Sequence, residues 1–99
     1  MATVSEKQVQ DLYVKFALNP NVVPVDTFHQ GLNVELEHGS NIPISNVTDD
    51  NLTLVGKIAV AHLIEDPYYY QRLEKMEEEG EEYWEQKQKP SIFHHQFNG

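Results

Sequence analysis

The chain has 99 residues, no cysteine and a formal net charge of -9. This length allows one domain with one modest hydrophobic core, and the missing cysteines exclude disulfides, thiolate metal sites and thiol nucleophiles. The negative charge makes nucleic acid and anionic membranes poor partners, and the sequence lacks a membrane span and a signal-peptide core, so we expect an intracellular protein.

The first predicted element is an amphipathic helix with a clear start signal. Ser5 followed three residues later by Gln8 makes a capping box, so helix one is expected to begin at Glu6. Apolar residues then recur at three- and four-residue steps, at Val9, Leu12, Tyr13, Phe16 and Ala17. The pair Asn19 and Pro20 is expected to stop the helix.

A second helix is predicted over residues 27–38. Asp26 is a suitable N-cap, and Gly39 is placed as a left-handed terminator. The apolar positions Phe28, Leu32 and Leu36 lie four residues apart and share one face. An irregular loop over residues 40–48 is expected to follow.

Two more helices are predicted after this loop. Three candidate N-caps precede helix three, namely Thr48, Asp49 and Asp50, and its apolar stripe is Leu52, Val55, Ile58, Ala59, His62 and Leu63. We expect it to be the central helix. Asp66 with Pro67 then predicts an immediate start of helix four. The fold class is therefore all-α, a small orthogonal bundle of four or five helices with an extended C-terminal tail.

The composition changes in the last fifth of the chain. Residues 77–82 are all glutamate except Gly80, which weakens a helix through like charges and glycine. We therefore divide the chain into a single helical domain, residues 1–80, and an acidic and aromatic extension with a tail, residues 81–99.

Two pairs of glutamate and histidine have the spacing of metal ligands on a helix. Glu35 and His38 lie three residues apart on helix two, and His62 and Glu65 repeat the spacing on helix three. Two antiparallel helices could thus supply two imidazoles and two carboxylates to one ion, with a hydrolytic role as one consequence. The alternative is structural, with His38 complementing a helix C-terminus and His62 bonded to a neighbouring side chain.

No other pattern in the chain indicates catalysis. Gly56 and Lys57 fall inside a helix and lack the rest of a phosphate loop, and the serines lie in no nucleophile elbow. We therefore expect neither enzymatic activity nor a cofactor.

Aromatic residues concentrate towards the C-terminus and predict a protein interface. Only about two of the consecutive tyrosines 68–70 can face inward on a helix, so at least one is expected to be exposed. The residues predicted to bind a partner are Tyr68, Tyr83, Trp84, Phe93 and Phe97. Filling of a small core by these rings is the alternative.

Three sequence blocks resemble an uncharacterised domain family, a domain of unknown function. They are Glu-x-Glu-His-Gly at 35–39, Asn-Val-Thr-Asp-Asp at 46–50 and the segment 56–73, within a similarity that runs from about Phe28 to Met76. The resemblance implies a small helical unit met in bacteria, phages and large DNA viruses, and it implies no activity.

The leading hypothesis is a small accessory or structural protein without enzymatic activity. It would act through contacts with a viral or host protein or with a second copy of itself, in the host cytoplasm or as a minor virion component. The alternatives are the Glu and His metal site, and an acidic nucleic-acid mimic that binds a basic partner.

Overall fold

The computed structural model describes residues 4–41 and 51–92. These residues form four helices and no strand: α1 (Glu6–Lys15), α2 (Val25–Asn41), α3 (Leu52–Glu65) and α4 (Tyr69–Glu85). The predicted all-α class is confirmed. None of these helices combines the length and the apolar character that crossing a membrane requires.

Helix α1 begins as its sequence predicts. The Ser5 hydroxyl accepts from the Gln8 amide at 3.2 Å, and the Gln8 side chain accepts from the Ser5 amide at 2.9 Å. Val4 and Val9, on either side of this capping box, are both buried. The box therefore satisfies two free amides and places the start of α1 on the core.

The end of α1 comes earlier than predicted, at Lys15 rather than at Asn19. Ala17 adopts a left-handed conformation with φ of 52°. Its amide donates to the carbonyl of Val14 at 3.0 Å, and the amide of Leu18 donates to the carbonyl of Tyr13 at 3.2 Å. This hydrogen-bond pattern is a Schellman motif, here with alanine in the position that glycine usually takes.

Helix α2 extends past both of its predicted ends. The carbonyl of Pro24 already accepts from the amides of Thr27 and Phe28, so α2 starts at Val25 and Asp26 lies in the first turn instead of capping it. The helix then continues through Gly39 to Asn41, so the prediction of Gly39 as terminator is wrong. A glycine inside a helix costs only about 1 kcal/mol relative to alanine, which neighbouring turns can offset.

Helix α3 is capped by Asn51, one residue after the three predicted caps. The Asn51 side-chain oxygen accepts from the amides of Thr53 at 3.0 Å and Leu54 at 3.2 Å. Asparagine is as good an N-cap as aspartate. The candidates at 48–50, like most of the predicted loop, lie outside the described residues.

The turn between α3 and α4 is organised by Asp66. Its carboxylate accepts from the amide of Tyr68 at 2.9 Å and pairs with Arg72 in the first turn of α4. Because these bonds bend the chain through residues 66–68, α4 begins at Tyr69 and not at Pro67 as predicted.

Because of the Asp66 carboxylate, the free energy of unfolding is expected to depend on pH in the acidic range. The hydrogen bond from the Tyr68 amide and the nearby Arg72 hold the pKa of Asp66 below its ordinary value of 3.8. A lowered carboxyl pKa stabilises the fold above the ordinary pKa, and this stabilisation is lost as the pH falls through the folded-state pKa. The thermal midpoint of Asp66→Asn should therefore lie below that of the wild type near neutral pH, with the gap closing below pH 3.8.

Asparagine at this position still accepts from the Tyr68 amide, so the comparison removes the charge and its bond to Arg72 while the bond to Tyr68 stays. A gap in thermal midpoint that stays constant down to about pH 2 would contradict the assignment.

The core lies around α2, which packs against each of the other three helices. Phe28 and Leu32 of α2 are completely buried, and the rings of Tyr13 and Phe16 lie 6.0 and 6.3 Å from that of Phe28. The buried set is Val4, Val9, Leu12, Val23, Phe28, Leu32, Leu36, Val55, Ala59, Leu63 and Tyr70. The prediction that α3 is central was therefore wrong.

Gly56 of α3 provides space for a side chain of the α1 end. A methyl group on Gly56 would lie 2.8 Å from Cε2 of Phe16. The group that lies against this glycine is therefore an aromatic ring.

Candidate functional site

Helices α2, α3 and α4 meet at a cluster of three polar side chains. The hydroxyl of Tyr70 donates to Oε2 of Glu35 at 2.7 Å, and Nδ1 of His62 lies 2.8 Å from the same oxygen. Nδ1 of His62 is also 3.3 Å from the Tyr70 hydroxyl. Because a carboxylate only accepts, the imidazole must carry its hydrogen on Nδ1. We call these three residues the Glu-His-Tyr cluster.

Burial and ring packing hold the cluster in place. The Tyr70 residue is 1% exposed, whereas the side chains of Glu35 and His62 are 13% and 31% exposed. The ring of Tyr69 stacks on the imidazole with centroids 4.2 Å apart and planes 12° apart. The cluster therefore joins three helices with one ionic acceptor, two donors and an aromatic cover.

The two tyrosines of the cluster region are held neutral. Burial, and then the hydrogen bond to Glu35, raises the pKa of Tyr70 far above its ordinary value. Burial also raises the pKa of Tyr69, and the negative charges of Glu35, Glu65 and Glu77 add to that effect. Tyr70 is thus a permanent hydrogen-bond donor and not an acid or base at physiological pH.

A glycine that the sequence did not single out makes room for the Tyr70 ring. An ideal Cβ on Gly31 of α2 would lie 2.5 Å from Cε2 of Tyr70 and 2.9 Å from its Cζ. Only a residue without a side chain allows the ring to lie against the α2 backbone and its hydroxyl to reach Glu35, one turn further along α2. A glycine inside a predicted helix was the only available signal.

The structure brings together two of the four predicted metal ligands. Glu35 and His62 are hydrogen-bonded, but Glu65 is exposed and bonds to neither, and the His38 side chain lies outside the described residues. Within the described part of the chain, no three His, Asp or Glu side chains are grouped as metal ligands. The hydrogen bond between Glu35 and Nδ1 of His62 is the arrangement by which a carboxylate orients an imidazole.

The metal hypothesis stays a prediction because His38 belongs to it. Elemental analysis of untagged protein decides it: less than about a tenth of an equivalent of zinc, iron or manganese would exclude a resident metal.

The second candidate surface runs along α4. Tyr69, Leu73, Met76, Gly80 and Tyr83 follow one another at steps of four, three, four and three residues, the spacing of a seam along one side of a helix. We call these five residues the α4 seam. Its first half borders a shallow groove lined by Tyr69, Arg72, Leu73 and Met76. Met76 and Tyr83 are 61% and 52% exposed, and in this outer half of the seam only the Lys87 ammonium, among the described residues, lies over the Tyr83 ring, at 4.2 Å from its centroid.

Trp84 lies beside the end of the α4 seam, in a strongly acidic setting. Its indole packs edge-on against the Tyr83 ring with centroids 4.8 Å apart. The depression next to it is lined by three glutamates, one glycine and one lysine, namely Glu77, Gly80, Glu81, Glu85 and Lys89. An ideal Cβ on Gly80 would meet nothing within 4 Å, so this depression is open. Neither Tyr83 nor Trp84 belongs to the core.

The predicted partner-binding residues thus divide into three groups. Tyr68 is 62% exposed, as expected for one of three consecutive tyrosines, and Tyr83 and Trp84 share the outer end of α4. Phe93 and Phe97 lie outside the described residues. Sequence reasoning missed Met76 as a surface residue, although the alternating steps of three and four from Tyr69 to Tyr83 could have indicated it.

These features define a small all-α protein with four described helices, a polar cluster where three of them meet and an exposed aromatic and acidic helix end. The chain belongs to the family described as "Protein of unknown function (DUF5661)", whose profile matches residues 5–79. No curated protein and no solved structure matches the chain. The family resemblance is confirmed and begins earlier than Phe28.

The matched segment contains the whole Glu-His-Tyr cluster and Gly31, and it ends before Tyr83 and Trp84. Helix α4 passes through residue 80 without interruption, and the division at residues 80 and 81 stays a prediction.

Proposed function

We propose that this protein is a non-enzymatic accessory protein that binds another protein through the α4 seam and Trp84. The observation that carries the proposal is the exposure of large apolar side chains on a part of α4 that the core does not use. After Leu73, no apolar residue of α4 belongs to the core that the described residues form or packs against it, yet Met76, Tyr83 and Trp84 follow. Exposed clusters of large apolar residues mark interaction surfaces.

The seam fits a helical segment of the partner. Steps of four and three residues place side chains where a second helix can pack along α4, as in helix-in-groove recognition. Gly80 leaves a gap in the seam between Met76 and Tyr83, into which a bulky partner side chain can insert. Trp84, next to this gap, is the kind of aromatic anchor that dominates binding energy at interfaces.

The charge of α4 favours a basic partner surface. Seven glutamates and one lysine lie between Glu74 and Glu85, and three of these glutamates border the depression beside Trp84. Lysine or arginine on the partner would meet complementary charge there, which speeds association and selects the partner. This chemistry supports a basic protein as the partner, and it is shared with the predicted nucleic-acid mimic.

The setting of this interaction is also part of the proposal. The family resemblance supports a viral or phage-linked protein that acts in the host cytoplasm or within the virion. Quantitative mass spectrometry of purified particles from the native source tests the virion location. Absence of the chain from intact particles, with presence in infected-cell extract, would exclude it.

Replacing Trp84 with alanine is expected to weaken partner binding by at least about thirtyfold, because an aromatic anchor contributes about 2 kcal/mol or more at an interface. The partner is first captured from native extract with the wild-type chain and identified, and affinity is then measured with purified proteins. The thermal midpoint should change little, since Trp84 lies outside the core.

Val14→Ala is the matched control, because Val14 is 74% exposed on α1, away from α4. It should leave affinity unchanged. A large fall in the thermal midpoint of Trp84→Ala with normal affinity would instead assign Trp84 to the core and remove the proposal.

A further inference from the structure

Helix α3 has a second apolar face that no described residue covers. Val55, Ala59 and Leu63 are buried on one side, while Leu54 and Ile64 on the other side are 42% and 78% exposed. The complete outer face consists of Leu54, Lys57, Ala61, Ile64 and Glu65, all exposed. A helix that is apolar on both sides is normally buried on both sides.

The outer face is arranged symmetrically about Ala61. Lys57 lies four residues before Ala61 and Glu65 four residues after it. At the two edges of this face, the half-buried Ile58 and the exposed Ile64 lie three residues before and after Ala61. The charges at the two ends are opposite. A second α3 helix running antiparallel would therefore present the complementary group at each of these positions.

We infer that α3 pairs with α3 of a second copy of this chain, antiparallel, around a two-fold axis at Ala61. The small Ala61 side chain lets the two helices approach closely at the axis. Lys57 then faces the partner subunit's Glu65, and Ile58 faces the partner subunit's Ile64. Each contact occurs twice, as a two-fold symmetric interface requires.

The two charged residues of the outer face favour a second copy of this chain, rather than an unrelated protein, as the binding partner of α3. Neither Lys57 nor Glu65 forms an ion pair with a described residue. They cannot pair with each other, because eight residues of helix separate them by about 12 Å. In the antiparallel pair both charges find a partner, and the exposed Ile64 packs against the partner subunit's Ile58 instead of water.

The pairing is expected to be weak and dependent on concentration. One helix pair buries less than the roughly 1,600 Å² of a standard stable interface. The net charge of -9 on each copy also opposes association. At physiological salt the Debye length is about 8 Å, so this repulsion is largely screened while the contacts at the axis remain.

Sedimentation velocity of the untagged full chain, from about 10 µM to about 1 mM at physiological salt, tests the pairing. The wild type is expected to form a reversible dimer in this range. Lys57→Glu alone and Glu65→Lys alone each place like charges opposite each other twice, and each should weaken dimerisation by about tenfold.

The antiparallel arrangement is tested by mixing these two variants. In the mixed pair, the glutamates of one chain face the lysines of the other, so the mixture should dimerise about as well as the wild type. Lys75→Glu and Glu78→Lys on α4 make the same changes in net charge away from the α3 face, and neither variant nor their mixture should change dimerisation.

A chemical cross-link gives an independent measurement. The natural chain has no cysteine, so Ala61→Cys introduces a single thiol at the expected axis, and mild oxidation should yield a disulfide-linked dimer. Lys75→Cys should not yield it at the same concentration.

Three results would overturn the inference. The wild type could remain a monomer throughout the concentration range, the charge-reversed variants could dimerise as strongly as the wild type, or the mixture of the two variants could fail to form a dimer. Because Trp84 and the α4 seam lie elsewhere, these results are separable from those that test partner binding.

Discussion

Tyr70→Ala is expected to destabilise the protein by about 3–5 kcal/mol, the range for truncating a buried aromatic side chain. Tyr70 is 1% exposed, its ring contacts the Tyr69 ring and lies against Gly31, and its hydroxyl donates to Glu35. Small domains have total stabilities of about 5–15 kcal/mol, so this single change removes a large fraction of the total. Urea unfolding followed by circular dichroism measures the loss.

Tyr70→Phe measures the contribution of the hydroxyl apart from that of the ring. It also allows a measurement if the alanine variant does not fold. The loss should be about 1.5–3 kcal/mol, since the hydroxyl bonds a charged acceptor. A double-mutant cycle with Glu35→Gln should show coupling between the two residues. Tyr68→Ala, at a neighbouring but 62% exposed position, should cost less than about 0.5 kcal/mol. A similar loss at Tyr68 and Tyr70 would contradict the placement of the Tyr70 ring.

Gly31→Ala is expected to destabilise the protein by about 1–3 kcal/mol, although alanine is the better helix former. In an open helix, replacing glycine with alanine contributes about 1 kcal/mol of stability. At residue 31 the added methyl group would lie 2.5 Å from a carbon of the Tyr70 ring. The ring cannot move aside without breaking its hydrogen bond to Glu35. The cost of overpacking therefore outweighs the gain in helix propensity, and the free energy of unfolding falls.

Gly80→Ala is the matched control, in the same kind of backbone and with nothing within 4 Å of the added atom. It should stabilise the protein by up to about 1 kcal/mol. The same chemical change is thus expected to act in opposite directions at the two positions, as measured by urea unfolding. Equal effects at residues 31 and 80 would show that the Tyr70 ring does not lie against α2.

Several parts of the structure could be predicted because their causes are local. The capping box at Ser5 and Gln8 places the start of α1, since both partners lie within one turn. Exposure of one of three consecutive tyrosines follows from the rotation of successive residues around a helix. The spacing of Glu35 with His38, and of His62 with Glu65, predicted a metal site, which stays a prediction; the structure places Oε2 of Glu35 2.8 Å from Nδ1 of His62.

Helix ends and helix neighbours could not be predicted in the same way. Asp26 and Gly39 have the residue types of a start and a stop, but the Pro24 carbonyl starts α2 earlier, and the helix continues beyond Gly39. The left-handed Ala17 was not indicated by its residue type, because alanine rarely adopts that conformation. The central position of α2 depends on contacts with three helices at once.

By itself, the sequence determined the helical type of the described elements and the acidic, aromatic character of the chain end, because periodicity, caps and charge act over a few residues. Only the tertiary structure decided that Gly31 makes room for Tyr70, that Glu35 takes hydrogen bonds from two other helices, and that residues 4–41 and 51–92 leave the outer faces of α3 and α4 uncovered. These features depend on which faces of distant segments meet, and no local spacing specifies that.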